Sequence, residues 1–307
     1  MPTPSVSGNF GDLLDPRFQK IFNDRYDQLP DMLGKFFTMV SNSPTKADYR
    51  TSQMGTLGDV PEFTGTVVYD DSHQGYDGTI TPKEYASGYQ IERKLYDDDQ
   101  FGVMDAKPRT LATAYQRTRQ KHGAQLFNNA FSVDNTWNSY TENVALVSDS
   151  HTTTAPGVST STGFDNLVTT ALSAVALAAA RIQMINFRGD RAERISVVPN
   201  TILIPPDLYE IAYEIVESSG KVDTANNNVN VHKGKYDVME WIYLTDVNNW
   251  FLMDSTMMKD SLYWFDRVQK EFAQVEDFDT LVAKWRMYAR YGHGHNDWRW
   301  ILGALVS

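Results

Sequence analysis

The first helical spacing of hydrophobic positions falls between residues 16 and 30. Phe18, Ile21, Phe22, Tyr26 and Leu29 recur every three or four residues. Asp15 reads as the cap, Pro16 suits the first turn, and Pro30 ends the run. A short helix with such a stripe must bury it. It docks either on the chain's own body or on a neighbouring subunit, and the spacing favours neither.

Residues 46–100 read as β-structure with weak burial. Thr64–Tyr69 predicts a strand, Asp70–Gly78 a turn-rich tip, Thr79–Thr81 a second strand and Tyr85–Arg93 a third. Apolar residues are sparse here, so a hairpin of this kind needs a partner surface. Residues 106–131 predict the clearest long helix, with Pro108 in its first turn. Leu111, Tyr115, Thr118, His122, Leu126 and Ala130 share one stripe. Arg109, Arg117, Arg119 and Lys121 are expected to face solvent or another chain.

Residues 132–164 are polar and aperiodic, a long connection of the kind that is functional or exposed. Asp165 is expected to cap a second helix running to Met184, with Val168, Ala171, Leu172, Val175, Ala179 and Ile182 buried. Ile195–Ile204 predicts a buried strand interrupted by Pro199. Asp207–Glu217 predicts a helix with Leu208, Ile211, Ala212 and Ile215 inward. Residues 221–235 form a polar loop. Strands are expected at Val238–Tyr243, Trp250–Met253, Leu262–Phe265, Leu281–Tyr291 and Trp298–Leu302, giving an α+β chain with a strand-rich end.

Composition narrows the function. The 307 residues suggest about two structural units. Lys and Arg total 28 against 39 Asp and Glu, a net charge of −11. That is a poor background for a sequence-reading nucleic-acid binder, which needs a basic face. Cysteine is absent, which excludes disulfides, thiolate metal sites and cysteine nucleophiles. The longest apolar stretch, Ala171–Ala180, is half the length of a membrane span, so no membrane is expected. Residues 1–11 show no secretory pattern.

Catalytic templates fail. There is no phosphate loop, no dinucleotide fingerprint and no nucleophile elbow. His293, His295 and Asp297 would share a face if they lie on a strand, an arrangement resembling a facial metal triad. The same residues are ordinary turn chemistry between two aromatic strands. Asp97–Asp99 and the Glu276, Asp277, Asp279 group read as solvated faces. His73, His122, His151 and His232 stand alone. No catalytic, cofactor-binding or metal residue is assigned, no cofactor is expected, and the chain reads as a non-enzyme.

Several segments, in shared order, resemble the major capsid protein of tailed bacteriophages, in particular the Mu-like major head subunit group. They are Ala145–His151 after the long helix, the Ile202–Leu208 strand-to-helix junction with its two prolines, and Thr224–Val231. Trp241, Tyr243–Asp246 and Trp250–Leu252 follow. Phe278–Thr280, Arg290–Gly292 and Asp297–Arg299 close the series. The resemblance implies the HK-ninety-seven-like capsid fold. Its parts would be an N-terminal arm at 1–45, an extended β-hairpin loop at 46–100 and a peripheral domain with the spine helix at 101–164. An axial domain would follow at 165–250, and returning peripheral strands at 251–307.

It further implies self-assembly into hexamers and pentamers of an icosahedral shell enclosing double-stranded DNA without sequence-specific binding. A separate scaffolding protein and a portal would be partners. The chain would be located in the virion and assembled in the host cytoplasm. Lys83 lies in the loop where some members cross-link, without a flanking motif to support it. Two alternatives stand beside this reading. One is an encapsulin-like nanocompartment shell; the other is a metal-dependent enzyme using His293, His295 and Asp297.

Overall fold

The computed structural model describes residues 11–41, 47–98, 102–220, 229–277 and 279–307. The chain begins with α1 (Gly11–Gln28), α2 (Leu33–Phe36) and β1 (Thr38–Ser41). β2 (Tyr49–Met54), β3 (Gln74–Ile80), β4 (Lys83–Glu92) and α3 (Arg93–Asp97) lead to the long helix α4 (Ala106–Asn128). β5 (Asn138–Tyr140), β6 (Leu167–Val168), α5 (Ala174–Ile185), β7 (Thr201–Ile204), α6 (Tyr209–Glu217) and β8 (Asp237–Glu240) follow. The end is strand-rich: β9 (Trp250–Met253), α7 (Ser255–Ser261), β10 (Leu262–Asp277), β11 (Val282–His295) and β12 (Ile301–Ala304).

Three sheets organise these elements. The first runs β1-β10-β11-β4, built on the long β10–β11 hairpin, with β1 added in parallel. The second runs β6-β12-β9-β7-β8, and the third is the small β2-β3-β5 sheet. β7 and β9 are buried at every position, as strands covered on both faces must be. The larger of two apolar clusters joins α4 to the first two sheets through Phe36, Phe127, Trp241, Trp250, Trp264 and Trp300. Trp241 stacks on Phe36 with ring centroids 5.0 Å apart. Gly123 permits the close crossing there, because a Cβ on it would meet Leu33 at 2.2 Å and Trp241 at 3.2 Å.

Helix α1 settles its open choice by docking on the chain's own body. Phe18 packs edge-on against Trp285, Phe22 against Phe272, and Tyr26 stacks on Tyr115 of α4. The helix begins before Asp15, which therefore lies within it and is not its cap.

Five expectations need correction. Residues 64–69 are not a strand; residues 55–73 are irregular, and the strand that pairs with β2 is β3. β4 does not complete that hairpin but pairs with β11 along its whole length. Asp165 does not open a helix. It makes a turn onto Leu167, β6 follows, and α5 starts nine residues later with the Ser173 hydroxyl accepting from the Ala176 amide. That shift reverses the buried face. Ala176, Leu177, Ala180 and Met184 point inward, while Val175 and Ile182 are 66% and 60% exposed. Ile211 of α6 is likewise exposed, its place in the core taken by Val216.

Candidate assembly surfaces

The candidate metal set is the first site to resolve. His293 lies within β11, paired with Trp264 of β10, and is not in a turn. Its ring is fully buried against Trp264, Trp137 and Phe37, and neither nitrogen makes a hydrogen bond of normal geometry. Burial, helped by the neighbouring His122, pushes its pKa down to about 3. His295 sits beside Tyr140, and burial lowers it to about 4. Asp297 turns away from both. Its carboxylate accepts from the Trp298 amide at 2.7 Å and pairs with Arg299 at 3.1 Å.

The intervening Gly294 lets the small sheet cover the strand, since a Cβ there would meet Asn138 at 2.6 Å and Ile80 at 2.8 Å. Among the described residues no group of three His, Asp or Glu side chains is placed to hold a metal ion. His293 and His295 thus belong to a strand packed in an aromatic core, while Asn296 and Asp297 fall in the bend that follows it, and the three are not gathered as a metal set.

The remaining singled-out residues are structural where they are described. His151 is buried, its ring stacked on Trp298 at 4.1 Å with Nδ1 at Glu142 and Nε2 at the Asn166 amide oxygen. Asn166 uses its whole side chain. Its oxygen accepts from the Ser148 amide, and its nitrogen donates to the Leu146 and Ile301 carbonyls, tying the post-helix segment to β12. His122 contacts Tyr85, Trp137 and Tyr291. The Lys83 ammonium lies 4.9 Å above the Trp137 ring. Residues 1–10 of the arm, residues 221–228 of the polar loop, Asp99 and Phe278 lie outside the described residues.

Sequence reasoning missed Arg119. It does not face solvent but is buried, pairing with Asp266 at 3.2 Å and lying over the rings of Trp264, Tyr291 and Tyr115. The signal available was its spacing from Leu111, Ala112 and Tyr115, on the face that continues to Gly123 and Phe127.

Among the described residues two uncovered apolar surfaces stand out. The 55–73 loop exposes Leu57, Val60, Phe63, Val67, Val68 and Tyr69, with Val60 95% and Tyr69 90% accessible. Arg191 and Glu193 pin it. Asp70 accepts two bonds from Arg191, at 2.6 and 2.8 Å, and another from the Gly58 amide at 2.7 Å. These bonds, that from Gly58 foremost, hold the Asp70 carboxyl below its usual range. Thr56 also bonds Glu193. The outer face of α5 is the second surface. Apolar groups gathered in this way on soluble proteins mark interaction sites. Among the described residues no helix is long and apolar enough to cross a membrane.

The model of a family described as phage capsid protein matches residues 76–304, about three-quarters of the chain. A comparison with curated proteins finds no match. Among solved structures, the mature capsid of bacteriophage PhiM1 is similar at a TM-score of 0.58 and 9% identity, covering 91% of this chain and 88% of that one. The capsid of a native GTA particle is similar at 0.55 and 14% identity, covering 90% of each chain. The procapsid of bacteriophage JBD30 is similar at 0.53 and 15% identity, covering 97% of this chain and 76% of that one. At such identities the likeness establishes the fold, which is the α+β HK-ninety-seven-like capsid fold.

Proposed function

The chain belongs to the phage capsid protein family, a family of structural shell proteins and not of enzymes, and on that premise we propose how it builds a shell. It is the major head subunit, arranged in hexamers and pentamers around a double-stranded DNA genome. It assembles in the host cytoplasm with a separate scaffolding protein and a portal. The family match favours this over an encapsulin-like compartment.

The division of labour follows the proposed domains. Residues 1–45 are the arm, and 46–100 the extended loop. Residues 101–164 and 251–307 form the peripheral domain around α4. Residues 165–250 form the axial domain, with the loop at 221–235 as its tip. Two pairings refine this: β4 adds to the peripheral sheet, while β9 and β12 add to the axial one.

The observation that carries the reading is the 55–73 loop. Its exposed apolar side chains find no cover among the described residues, and ordering a loop costs about 1–2 kcal/mol per residue in backbone entropy. Neighbouring subunits supply that cover in a shell. The test is electron microscopy beside circular dichroism on a variant whose residues 56–72 are replaced by a short Gly-Ser linker. A folded body that no longer gives regular shells is expected. Normal shells from that variant would sink the role of the loop.

A further inference from the structure

Helix α4 carries five cationic residues and no acidic one, in a chain whose net charge is −11. Arg119 is buried and paired. Lys107, Arg109, Arg117 and Lys121 all lie on exposed positions. From Arg109 to Lys121 the helix rises about 18 Å. Helix α1 runs beside it, and the two enclose an open groove of about 690 Å³. Arg25 lines one wall, Arg109 and Arg117 the other, and Asp24 is the one carboxylate of the lining. Among the described residues no carboxylate pairs with any of these three guanidiniums, in contrast to Arg17, Arg119, Arg191 and Arg299.

Three guanidiniums gathered around a single carboxylate repel one another, and an anion in the groove offsets that repulsion. Guanidinium forks match the paired oxygens of phosphate. Two classes of anionic macromolecule carry suitable charges: an acidic protein segment and a nucleic acid. The lining contains no aromatic side chain, and Ile21 is its largest aliphatic one. It therefore lacks the apolar anchors by which peptides dock. A polymer recognised through repeating phosphates needs none.

We propose that the α1–α4 groove is a phosphodiester-binding surface that holds the sugar–phosphate backbone of double-stranded DNA through Arg25, Arg109 and Arg117. The proposal rests on the shell reading for the presence of DNA, and it locates where that DNA is touched. Contact is independent of base sequence. The chain as a whole carries a net charge of −11, so this cationic groove stands against an acidic background.

The test measures binding of a short fluorescent duplex of mixed sequence to the purified full chain, by anisotropy across a salt series. Arg25→Gln, Arg109→Gln and Arg117→Gln are combined in one variant. A second variant combines Lys233→Gln, Lys235→Gln and Arg286→Gln, removing the same charge from other exposed positions. Circular dichroism checks that both fold. The groove variant is expected to lose at least about tenfold in affinity, and its salt slope should fall by about 2–3, near 0.9 for each lost phosphate contact. The other variant should stay within about threefold of wild type.

Equal losses in the two variants, or no duplex binding by wild type, would overturn the proposal. So would a poly-glutamate peptide that binds through the groove while duplex binding ignores it, which would identify an acidic protein segment as the occupant. Electron microscopy of the wild type keeps the two readings apart. Shells without groove-dependent DNA binding refute this inference alone, whereas absence of shells refutes the reading beneath it.

Discussion

Arg119 shows how a charged side chain serves a core. Removing one member of a buried pair leaves the other charge unpaired, at a cost of about 3–5 kcal/mol. Arg119→Leu is therefore expected to lower stability in chemical denaturation by that amount, while Arg117→Leu on the exposed face changes it by about 0.5 kcal/mol or less. Adding Asp266→Leu to Arg119→Leu should restore part of the loss. A cost equal to that of Arg117→Leu would contradict the burial of this pair. His122, His293 and His295 give a pH dependence. Burial lowers all three, to about 4, 3 and 4, with Lys83 adding to the effect at His122. Folded-state values below the unfolded value of about 6.5 mean that the unfolded chain binds more protons. Their contribution is complete above pH 6.5 or so and is lost as pH falls through about 4 to 3. Each adds up to about 1.4 kcal/mol per pH unit to the slope. Denaturation midpoints should fall below pH 6.5, and the fall should weaken in His122→Phe, which keeps the ring packing. A midpoint flat from pH 7 to about 4.5 would contradict their burial as neutral rings.

Elements were legible where local pattern and tertiary role agreed. The long helix, the Pro205–Pro206 junction and β9 lie where periodicity and proline chemistry put them. α5 did not, because a run such as Ala174-Val175-Ala176-Leu177-Ala178-Ala179-Ala180 offers apolar residues on every face. Spacing alone cannot choose which face is covered within the chain. β4 was misassigned for a related reason: strand pairing is a long-range choice, and residues 83–92 find their partner some two hundred positions away. The His293–Asp297 segment read as a turn because Gly292 and Gly294 are turn residues, whereas here they allow a second sheet to lie close over a strand. At this scale Arg191→Ala tests the pinning of the 55–73 loop. Amide hydrogen exchange across residues 56–72 should quicken severalfold while α4 and β11 keep their protection. Unchanged exchange in the loop would show that the Asp70–Arg191 contact does not hold it.

The whole molecule divides its surface between covered and waiting parts. One core spans α4 and two sheets and makes the body self-sufficient, while the loop and the outer face of α5 leave large apolar groups uncovered. A monomer gains nothing from that exposure; a subunit repeated around closed symmetry axes covers each patch with its neighbour. The most direct measurement is electron microscopy of the purified chain at high concentration, with the mass of its species followed by light scattering. Capsomers and closed icosahedral particles are expected, with α4 and the β10–β11 hairpin repeated in five- and six-membered rings in the image reconstruction. A sole species of 34.8 kDa at every concentration would contradict that expectation.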